Sequence, residues 1–408
     1  MKRVKKNKGA PGVDGMTIEE LDRYFAKHSE EIRHQILNRT YHPQPVMRVG
    51  IPKSNGDKRL LGIPTVIDRV IQQAISQQLT PIYEEIFHPN SYGFRPHKNA
   101  EMAICQTLTN INDGFQWIVD IDLERFFDTV HHDRLMTLMA KTIKDGDVIS
   151  LVRKYLVSGI QTDEGFKESI IGTPQGGNLS PLLSNILLNE LDQELEERGL
   201  EFVRYADDCI IFVKSEMSAR RVLRNMTTFI ENKLGLVVNA SKSKVTRPTD
   251  REFKFLGFGF FKNFGNDYMA KPHHLSVDSF KYKLKQLTRR NWGVSTAHRI
   301  SKINQLIRGW VNYFRISKMK NLLERIDGHT RYRLRMCIWQ QWKTAKTRRK
   351  NLIKLGSDRK NAYKNSHSSK AVARIATSWV LTTTITNKRL ERFGLLFSVK
   401  HYQKLHRM

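Results

Sequence analysis

Four aspartates lie in two otherwise apolar segments of this 408-residue chain. Asp120 and Asp122 belong to WIVDIDL, and Asp207 and Asp208 are adjacent in VRYADDCIIFV. Two carboxylates about 4 Å apart repel each other by roughly 4 kcal/mol at an effective dielectric constant near 20, so acidic groups converge mainly around cations. Hard oxygen ligands suit Mg²⁺, and two such ions can assist the attacking and the leaving oxygen of a phosphoryl transfer. The pattern therefore indicates metal-assisted phosphoryl transfer, with an ordinary turn as the alternative for the adjacent pair, since Asp also favours turns.

Both acidic segments are predicted to be strands. The stretch from Trp117 to Leu123 alternates with a period of two, which places Asp120 and Asp122 on one face and leaves the choice between them open. Residues 203–213 predict two short strands joined by a tight turn at Ala206 and Asp207.

A glycine-rich loop, GTPQGGNLSP, lies between the acidic segments. Gly172, Gly176 and Gly177 allow a backbone to approach a ligand closely. Ser180 before Pro181 predicts a helix N-cap followed by proline at the first helical position. A nucleotide-binding loop and an ordinary turn before a helix both fit this pattern.

The flanking segments predict further elements of mixed α/β structure. Residues 49–66 alternate basic and apolar positions around Asn55-Gly56, a strong hairpin signal. Asp68 is predicted to cap the helix that follows. From about residue 275 the apolar residues recur at helical spacing, as in Ile300, Ile303 and Ile307.

Charge divides the chain into two parts. Residues 275–408 hold 32 Lys and Arg against 5 Asp and Glu, whereas residues 1–274 hold 37 against 35. Clustered cations favour a polyanionic partner because binding releases the counterions of nucleic acid. The expected arrangement is a nearly neutral chemical module joined to a basic nucleic-acid-binding region, with a solvated basic tail as the alternative.

Neither a membrane nor a zinc site is predicted. No apolar run approaches the roughly 18 residues that span a bilayer, and the basic N-terminus lacks the features of a signal peptide. Cys105, Cys209 and Cys337 form no CxxC pair. The adjacent histidines at 131–132 and 273–274 are expected at the surface or in loops. We expect a soluble, cytoplasmic protein.

The order of the segments resembles bacterial group II intron-encoded proteins, which are reverse transcriptases that also act as maturases. The similar finger and palm blocks are NKGAPGVDG, IPKSNGDKRLLGIPTVIDRVIQQA, SYGFRP, DIDLERFFDTVHHDRL, GTPQGGNLSPLLSNILLNELD, RYADD, LGLVVNASKSK and FKFLGFGF. Two further segments, INQLIRGWVNYF and RYRLRMCIWQQWK, resemble the thumb or maturase domain. The resemblance covers almost the whole chain.

The resemblance implies an α/β (α+β) right-hand polymerase fold followed by an α-helical thumb/maturase domain. Fingers and palm are expected at residues 1–270, the helical thumb/maturase domain at 271–345, and a basic nucleic-acid-binding segment at 346–408. The cysteine- and histidine-containing endonuclease found in many family members is not expected.

The same resemblance makes Asp122, rather than Asp120, the first metal ligand. The family motif places two aromatic residues four and five positions after the catalytic aspartate, as Phe126 and Phe127 are here. Phe127 is then expected to lie against the nucleotide sugar and to reject a 2′-hydroxyl; a core phenylalanine is the alternative.

Asp207, Asp208 and the backbone carbonyl of Leu123 are implied to complete the site for two Mg²⁺ ions, with Mn²⁺ as an alternative metal. The residues implied to bind the incoming nucleotide are Lys53, Arg59, Phe127, Gln175 and one of Lys242 and Lys244, which would donate a proton to the leaving pyrophosphate. The residues implied to grip the primer end are Phe255, Leu256, Gly257 and Phe258, although a core strand would have the same sequence. The residues expected to bind RNA are Arg308, Arg331, Arg335, Trp339 and Trp342, with a core tryptophan helix as the alternative.

The predicted reaction is template-directed attack of a primer 3′-hydroxyl on a deoxynucleotide. The expected partners are group II intron RNA, an RNA template with a DNA primer, dNTPs and a DNA target. Two alternatives remain: a catalytically silent cofactor that folds RNA for splicing, and a reverse transcriptase of a retron or CRISPR-associated system. The intact aspartates argue against the first, and residues 299–342 argue against the second.

Overall fold

The computed structural model describes residues 1–52, 58–173 and 176–406, and these form two compact units, Met1–Asp250 and Arg251–Met408. The predicted division at residues 270 and 345 remains a prediction. Among the described residues, no helix is long and apolar enough to cross a membrane.

The first unit contains a four-stranded antiparallel sheet that carries the acidic segments. Its strands are β3 (Trp117–Ile121), β6 (Glu201–Tyr205), β7 (Asp208–Val213) and β8 (Lys244–Thr246), in the order β6-β7-β3-β8. The alternation of WIVDI and the apolar run CIIFV explain why β3 and β7 lie at the centre of the sheet. The predicted strands and the turn at Ala206 and Asp207 are confirmed.

A second sheet of the first unit has the order β2-β1-β4-β5. Its strands are β1 (Val46–Pro52), β2 (Lys58–Ile63), β4 (Ile160–Thr162) and β5 (Gly165–Lys167). β1 and β2 are antiparallel from Met47↔Ile63 to Pro52↔Lys58, which confirms the predicted basic hairpin. Asn55 and Gly56, on which that prediction rested, lie outside the described residues.

Helices cover both sheets and close the core of the first unit. They are α1 (Lys2–Asn7), α2 (Leu21–Leu37), α3 (Val66–Glu84), α4 (Ala100–Asn112), α5 (Phe126–Thr129), α6 (His132–Thr142), α7 (Gly146–Leu156), α8 (Ser180–Glu197) and α9 (Glu216–Phe229), which continues as a π-helical turn (Ile230–Leu234). The main core brings together apolar side chains of α6, α8, α9, β3 and β7. This core underlies the two strands that carry or adjoin the aspartates.

Two predicted helix caps are wrong, that at Asp68 by three residues and that at Ser180 by one. α3 is capped by Thr65, whose Oγ1 accepts a hydrogen bond from the Asp68 backbone N–H and donates one to Asp68 Oδ2. Asp68 is therefore the third residue of the helix and is buried. α8 begins at Ser180 itself, and its N-cap is Leu179, whose side chain has no polar group. The short Thr65 side chain reaches the backbone N–H of Asp68, and the Asp68 carboxylate in turn accepts a hydrogen bond from the Thr65 hydroxyl.

The second unit is mainly helical, as the spacing from residue 275 predicts. It contains the hairpin β9 (Phe258–Lys262) and β10 (Tyr268–Pro272), with Tyr268 opposite Lys262 and Pro272 opposite Phe258. The helices are α10 (His274–Leu287), α11 (Thr296–Tyr313), α12 (Lys320–Gln341), α13 (Ala345–Lys354), α14 (Arg359–Ser366), α15 (Val372–Ala376), α16 (Trp379–Thr384), α17 (Asn387–Arg392) and α18 (Ser398–Leu405).

The expectation that the paired histidines lie at the surface or in loops is wrong for His132, which belongs to α6, whereas His273 lies just before α10. His132 is buried, and its Nε2 lies 2.6 Å from the carbonyl oxygen of Gly172. His273 is also buried and caps α10 by accepting from the Leu275 backbone N–H. Each ring is held by backbone polar groups, which explains how a polar side chain can be buried at these positions.

Candidate active site

The register of β3 and β7 distinguishes Asp122 from Asp120. Ile121 is the Cα partner of Cys209, so one further step along both chains places Asp122 opposite Asp208. Asp207 precedes Asp208 in the turn between β6 and β7. Asp120 instead lies opposite Ile210, two positions inside the sheet. The end of the sheet therefore brings together the segments carrying Asp122, Asp207 and Asp208.

Backbone hydrogen bonds fix the direction of the Leu123 carbonyl. The Asp122 N–H donates to Ser243 Oγ at 3.0 Å, and the Asp122 carbonyl accepts from the Asn239 N–H at 2.8 Å. Leu123 lies opposite Val238 in an antiparallel bridge, but the backbone hydrogen bonds of this bridge are made by its neighbours Asp122 and Glu124. Successive residues of a strand direct their backbone groups to alternate sides, so the carbonyl of Leu123 points away from Val238, towards the side of β7.

The three carboxylates are accessible, but they are not drawn together. Asp122 has a side-chain exposure of 34%, and its Oδ1 lies 3.4 Å from Nζ of Lys242. Within the described residues, no three His, Cys, Asp or Glu side chains converge into a group that could hold a metal ion. The available donors are all oxygens, which suits a hard divalent cation.

Lys244 occupies a different position from Lys242. It lies in β8 as the Cα partner of Asp120, so these two side chains share a face of the sheet. The sequence did not decide which of the two lysines is the proton donor. In the structure Lys242 lies beside Asp122, and Lys244 lies opposite Asp120.

Phe127 borders a cleft in the first unit. Its ring packs edge-on against the buried Phe126, with the ring centroids 5.1 Å apart. Phe127 is only half-buried, and the cleft beside it is also lined by Arg48, Leu60 and Gly172. The cleft thus joins the end of β3 to the sheet that carries the basic hairpin.

Two cations in this cleft were not predicted from the sequence. Arg48 lies in β1, and its Nη2 is 3.5 Å from Asp128 Oδ1. Arg125 is exposed beside Phe127 and adopts the left-handed conformation, with φ of 47°. In the sequence, Arg48 belongs to a strand of alternating basic residues and Arg125 belongs to the segment DLERFFD. Neither pattern shows that the two side chains lie beside the same cleft. Both side chains can supply charge to a phosphate that enters there.

Two glycines allow the loop between the acidic segments to pack closely against neighbouring backbone. A Cβ on Gly172 would lie 3.0 Å from the carbonyl oxygen of Phe127, and one on Gly176 would lie 2.6 Å from that of Gly62. The loop therefore touches both the Phe127 segment and β2. The close approach of this loop to a ligand remains a prediction. Gln175 and Lys53 lie outside the described residues. Arg59 lies in β2 as the Cα partner of Ile51.

The predicted primer-grip segment is a tight turn in the second unit. Phe255 and Phe258 exchange backbone hydrogen bonds of 3.0 and 2.8 Å, and Leu256 and Gly257 between them have positive φ values of 49° and 79°. Both phenylalanines are buried, whereas Leu256 and Gly257 are partly exposed. A nucleic acid can reach the tip of this turn, and the phenylalanines support it from below.

The residues predicted to bind RNA differ in accessibility. Arg308 is exposed, and Arg331 is half-buried with its guanidinium 5.7 Å from the centre of the Phe397 ring. Arg335 donates to the Ile385 carbonyl oxygen at 3.1 Å from both Nε and Nη2. These contacts leave Arg308 as the most accessible of the three cations.

Trp339 is only 1% exposed. It packs against the half-buried Trp342, with the ring centroids 5.9 Å apart, and lies under the guanidinium of Arg348 at 4.7 Å. A base cannot stack on this indole in the folded chain, so the core alternative describes Trp339. Periodicity could not separate the two cases because both require a tryptophan on one helical stripe.

Comparison with known families gives two matches along the chain. The family described as reverse transcriptase (RNA-dependent DNA polymerase) matches residues 51–260. The group II intron, maturase-specific domain matches residues 277–356.

Individual relatives agree with both matches. Protein YkfC of Escherichia coli is 36% identical over 292 residues, which cover 62% of this chain and 76% of that protein. The group II intron-encoded protein LtrA of Lactococcus lactis subsp. cremoris is 31% identical over 317 residues, covering 62% of this chain and 52% of its own. The chain thus spans about three-quarters of one relative and about half of the other.

Telomerase structures show a more distant likeness. The telomerase of Candida albicans has a TM-score of 0.46 at 13% identity, covering 89% of this chain and 64% of that chain. The apo telomerase of Candida tropicalis has a TM-score of 0.44 at 16% identity, covering 56% and 55%.

Proposed function

Because the chain belongs to the reverse transcriptase family and carries the maturase-specific domain of group II intron proteins, we propose that it is an active RNA-directed DNA polymerase. It would extend a primer with dNTPs on an RNA template and release pyrophosphate. The observation that supports activity most directly is the β3–β7 register, which sets Asp122 opposite Asp208 and beside the Asp207 turn.

In this proposal Asp122, Asp207 and the carbonyl of Leu123 hold two divalent ions, and Asp208 adds negative charge beside them. Mg²⁺ is the expected metal, with Mn²⁺ as a substitute. When bound, such ions would lower the pKa of the primer hydroxyl and neutralise charge on the departing pyrophosphate. The accessible carboxylates and the direction of the Leu123 carbonyl fit this donor set.

The protein itself positions the nucleotide. Phe127 would lie under the sugar, with Arg48 and Arg125 in the same cleft contributing charge near the phosphates. Lys53 and Arg59 of the basic hairpin would hold the triphosphate, and Gln175 would contact the sugar or base. Lys242 is the better candidate for the proton donor because it lies beside Asp122.

The second unit would grip nucleic acid. Leu256 and Gly257 would contact the primer end, and Arg308, Arg331 and Trp342 would contribute to binding group II intron RNA. The chain would thereby assist splicing and, with a DNA target, retrotransposition in the bacterial cytoplasm. The concentration of Lys and Arg after residue 275 supports this interpretation.

Primer extension on an RNA template with Mg²⁺ tests the polymerase proposal. Wild-type protein should extend the primer, Asp122→Asn and Asp207→Asn should not, and Asp120→Asn should retain most activity. The last variant is a matched control because Asp120 lies on the same strand, two residues away. A well-folded but inactive wild type would instead favour the silent splicing cofactor.

RNA recovered with the protein from cells tests the maturase proposal. Enrichment of a group II intron transcript is expected. Recovery of RNA without any group II intron would contradict this part of the proposal, while leaving the polymerase activity to the extension assay.

A further inference from the structure

A completely buried ion pair lies beneath the hairpin of β6 and β7, here called the aspartate hairpin because its turn carries Asp207. Arg204 of β6 and Asp192 of α8 both have side-chain exposures of 0%. Arg204 donates from Nε to Asp192 Oδ1 at 2.6 Å and from Nη2 to Oδ2 at 2.5 Å. This is the two-pronged geometry that a planar guanidinium forms with a carboxylate, and it fixes the plane of the guanidinium.

The remaining guanidinium nitrogen reaches the turn itself. Nη1 of Arg204 donates to the carbonyl oxygen of Ala206 at 2.9 Å and to Asn185 Oδ1 at 3.0 Å. The Ala206 carbonyl belongs to the peptide bond that leads into Asp207. Holding that oxygen therefore fixes the orientation of the peptide plane from which the Asp207 side chain departs.

The turn needs such support because its backbone is strained. Ala206 has a φ of 58°, in the left-handed region that residues with a Cβ rarely adopt. Backbone strain of this kind persists only where the surroundings determine the conformation.

Asn185 and Gly93 provide a second contact near the turn. Asn185 donates from Nδ2 to the Gly93 carbonyl at 2.9 Å. A Cβ on Gly93 would lie 2.2 Å from the Ala206 nitrogen. The φ of Gly93 lies outside the positive region, so space, rather than backbone conformation, requires glycine here. Gly93 and Asn185 thus connect the SYGFRP segment, α8 and the hairpin.

Stability alone does not account for this ion pair. Removing two charges from water costs so much that well-packed apolar residues are often equally stable or more stable. What an apolar pair cannot provide is a directed donor to the Ala206 carbonyl. Asp192 keeps the buried guanidinium charged: burial disfavours its charged form, but the carboxylate outweighs this and raises the pKa of Arg204.

We propose that Asp192, Arg204 and Asn185 are positioning residues that orient the Ala206–Asp207 peptide and thereby aim Asp207 at the metal site. The proposal rests on the polymerase function proposed above. None of the three residues touches the reacting atoms; each acts through the turn.

The central variant is Arg204→Lys, which retains the positive charge but lacks the planar fork. Partners that orient metal ligands typically contribute about 10–100-fold to metal affinity or activity. The Mg²⁺ concentration for half-maximal primer extension should therefore rise by about 10-fold or more. Gly93→Ala should shift the same midpoint while leaving both members of the ion pair in place.

Leu195→Ala is the matched control, since Leu195 is a fully buried residue of α8 only three positions from Asp192. It should lower the melting temperature but leave the Mg²⁺ midpoint of the folded fraction unchanged. A merely structural role for Arg204 would produce the same pattern as this control. A folded Arg204→Lys protein with the wild-type midpoint would overturn the proposal.

Two measurements on the full chain do not depend on polymerase activity. Mn²⁺ titration followed by electron paramagnetic resonance should show weaker binding in Arg204→Lys than in wild type or Leu195→Ala. Amide hydrogen exchange at residues 206–209 should be faster in Arg204→Lys than in wild type or Leu195→Ala. If wild type fails to extend primers but these differences persist, the polymerase proposal fails and the positioning role stands; if neither difference is found, the positioning role fails.

Discussion

Nζ of Lys242 lies 3.4 Å from Oδ1 of Asp122, the residue that directly follows β3. Lys244 instead lies opposite Asp120, inside the sheet. A proton donor must be able to reach the group that receives the proton. The structure therefore separates two lysines that the sequence could not.

Lys242→Ala is expected to slow nucleotide addition at saturating Mg²⁺ by about 10²-fold, the lower end of the usual contribution of general acid catalysis. Lys244→Ala should have a smaller effect. Single-turnover rates of nucleotide addition at saturating Mg²⁺ provide the test. If Lys242 only pairs with Asp122, its removal will shift the Mg²⁺ requirement and leave the saturated rate intact.

Phe127→Ala is expected to admit ribonucleotides. An apolar surface rejects one additional hydroxyl by about 10²-fold at most, so the preference for dNTPs over rNTPs should fall by up to this factor. The ratio of kcat/KM for dCTP and CTP measures the change. Phe126→Leu is the control, since Phe126 is buried behind Phe127; it should reduce stability without changing that ratio.

Thr65→Ala is expected to lower the free energy of unfolding by about 2 kcal/mol, because α3 loses its N-cap and the buried Asp68 loses a hydrogen-bond donor. Thr65→Ser retains the hydroxyl and should lose much less. Thermal unfolding followed by circular dichroism compares the two. Equal losses in both variants would show that the methyl group, rather than the hydroxyl, stabilises this site.

His273 should make the second unit sensitive to mild acid. Burial lowers the pKa of its imidazole, and His274 and Lys254 lower it further, whereas the Arg251 carbonyl and Glu252 act in the opposite direction. As the pH falls below about 6.5, the unfolded chain is protonated first. Stability is therefore present above that pH, declines below it, and levels off below the folded-state pKa.

His273→Asn retains a capping acceptor for α10 but cannot titrate. The difference in melting temperature between wild type and this variant should change between pH 7.5 and pH 5.5, with wild type losing more. A difference independent of pH would contradict the assignment and leave His273 as a simple cap.

Arg308→Ala is expected to weaken binding of intron RNA and to reduce the slope of log affinity against log salt concentration by about one. The reason is that Arg308 is exposed on α11, within the segment that matches the maturase-specific domain. Filter binding at several salt concentrations measures both quantities. A weaker affinity with an unchanged slope would indicate a structural effect instead of a lost phosphate contact.

Much of this protein can be predicted from the sequence alone, since the relevant signals are local. Alternation around Asp122 predicts β3, the apolar runs around Asp207 predict the hairpin, and helical spacing predicts the second unit. The ordered motifs identify the family, and the excess of Lys and Arg after residue 275 indicates a polyanionic partner. Periodicity, turn chemistry and charge depend on residues that are neighbours in the chain, so they can be recognised without knowledge of the fold.

Other features depend on residues distant in the chain, and only the tertiary structure decides them. The β3–β7 register separates Asp122 from Asp120, because both lie on the same face of the strand and only the opposing chain distinguishes them. Trp339 and His132 prove to be buried because helices and loops from elsewhere cover them. The Asp192–Arg204 pair has the same explanation: charged residues 12 positions apart, unremarkable in sequence, meet beneath the hairpin because α8 packs along β6.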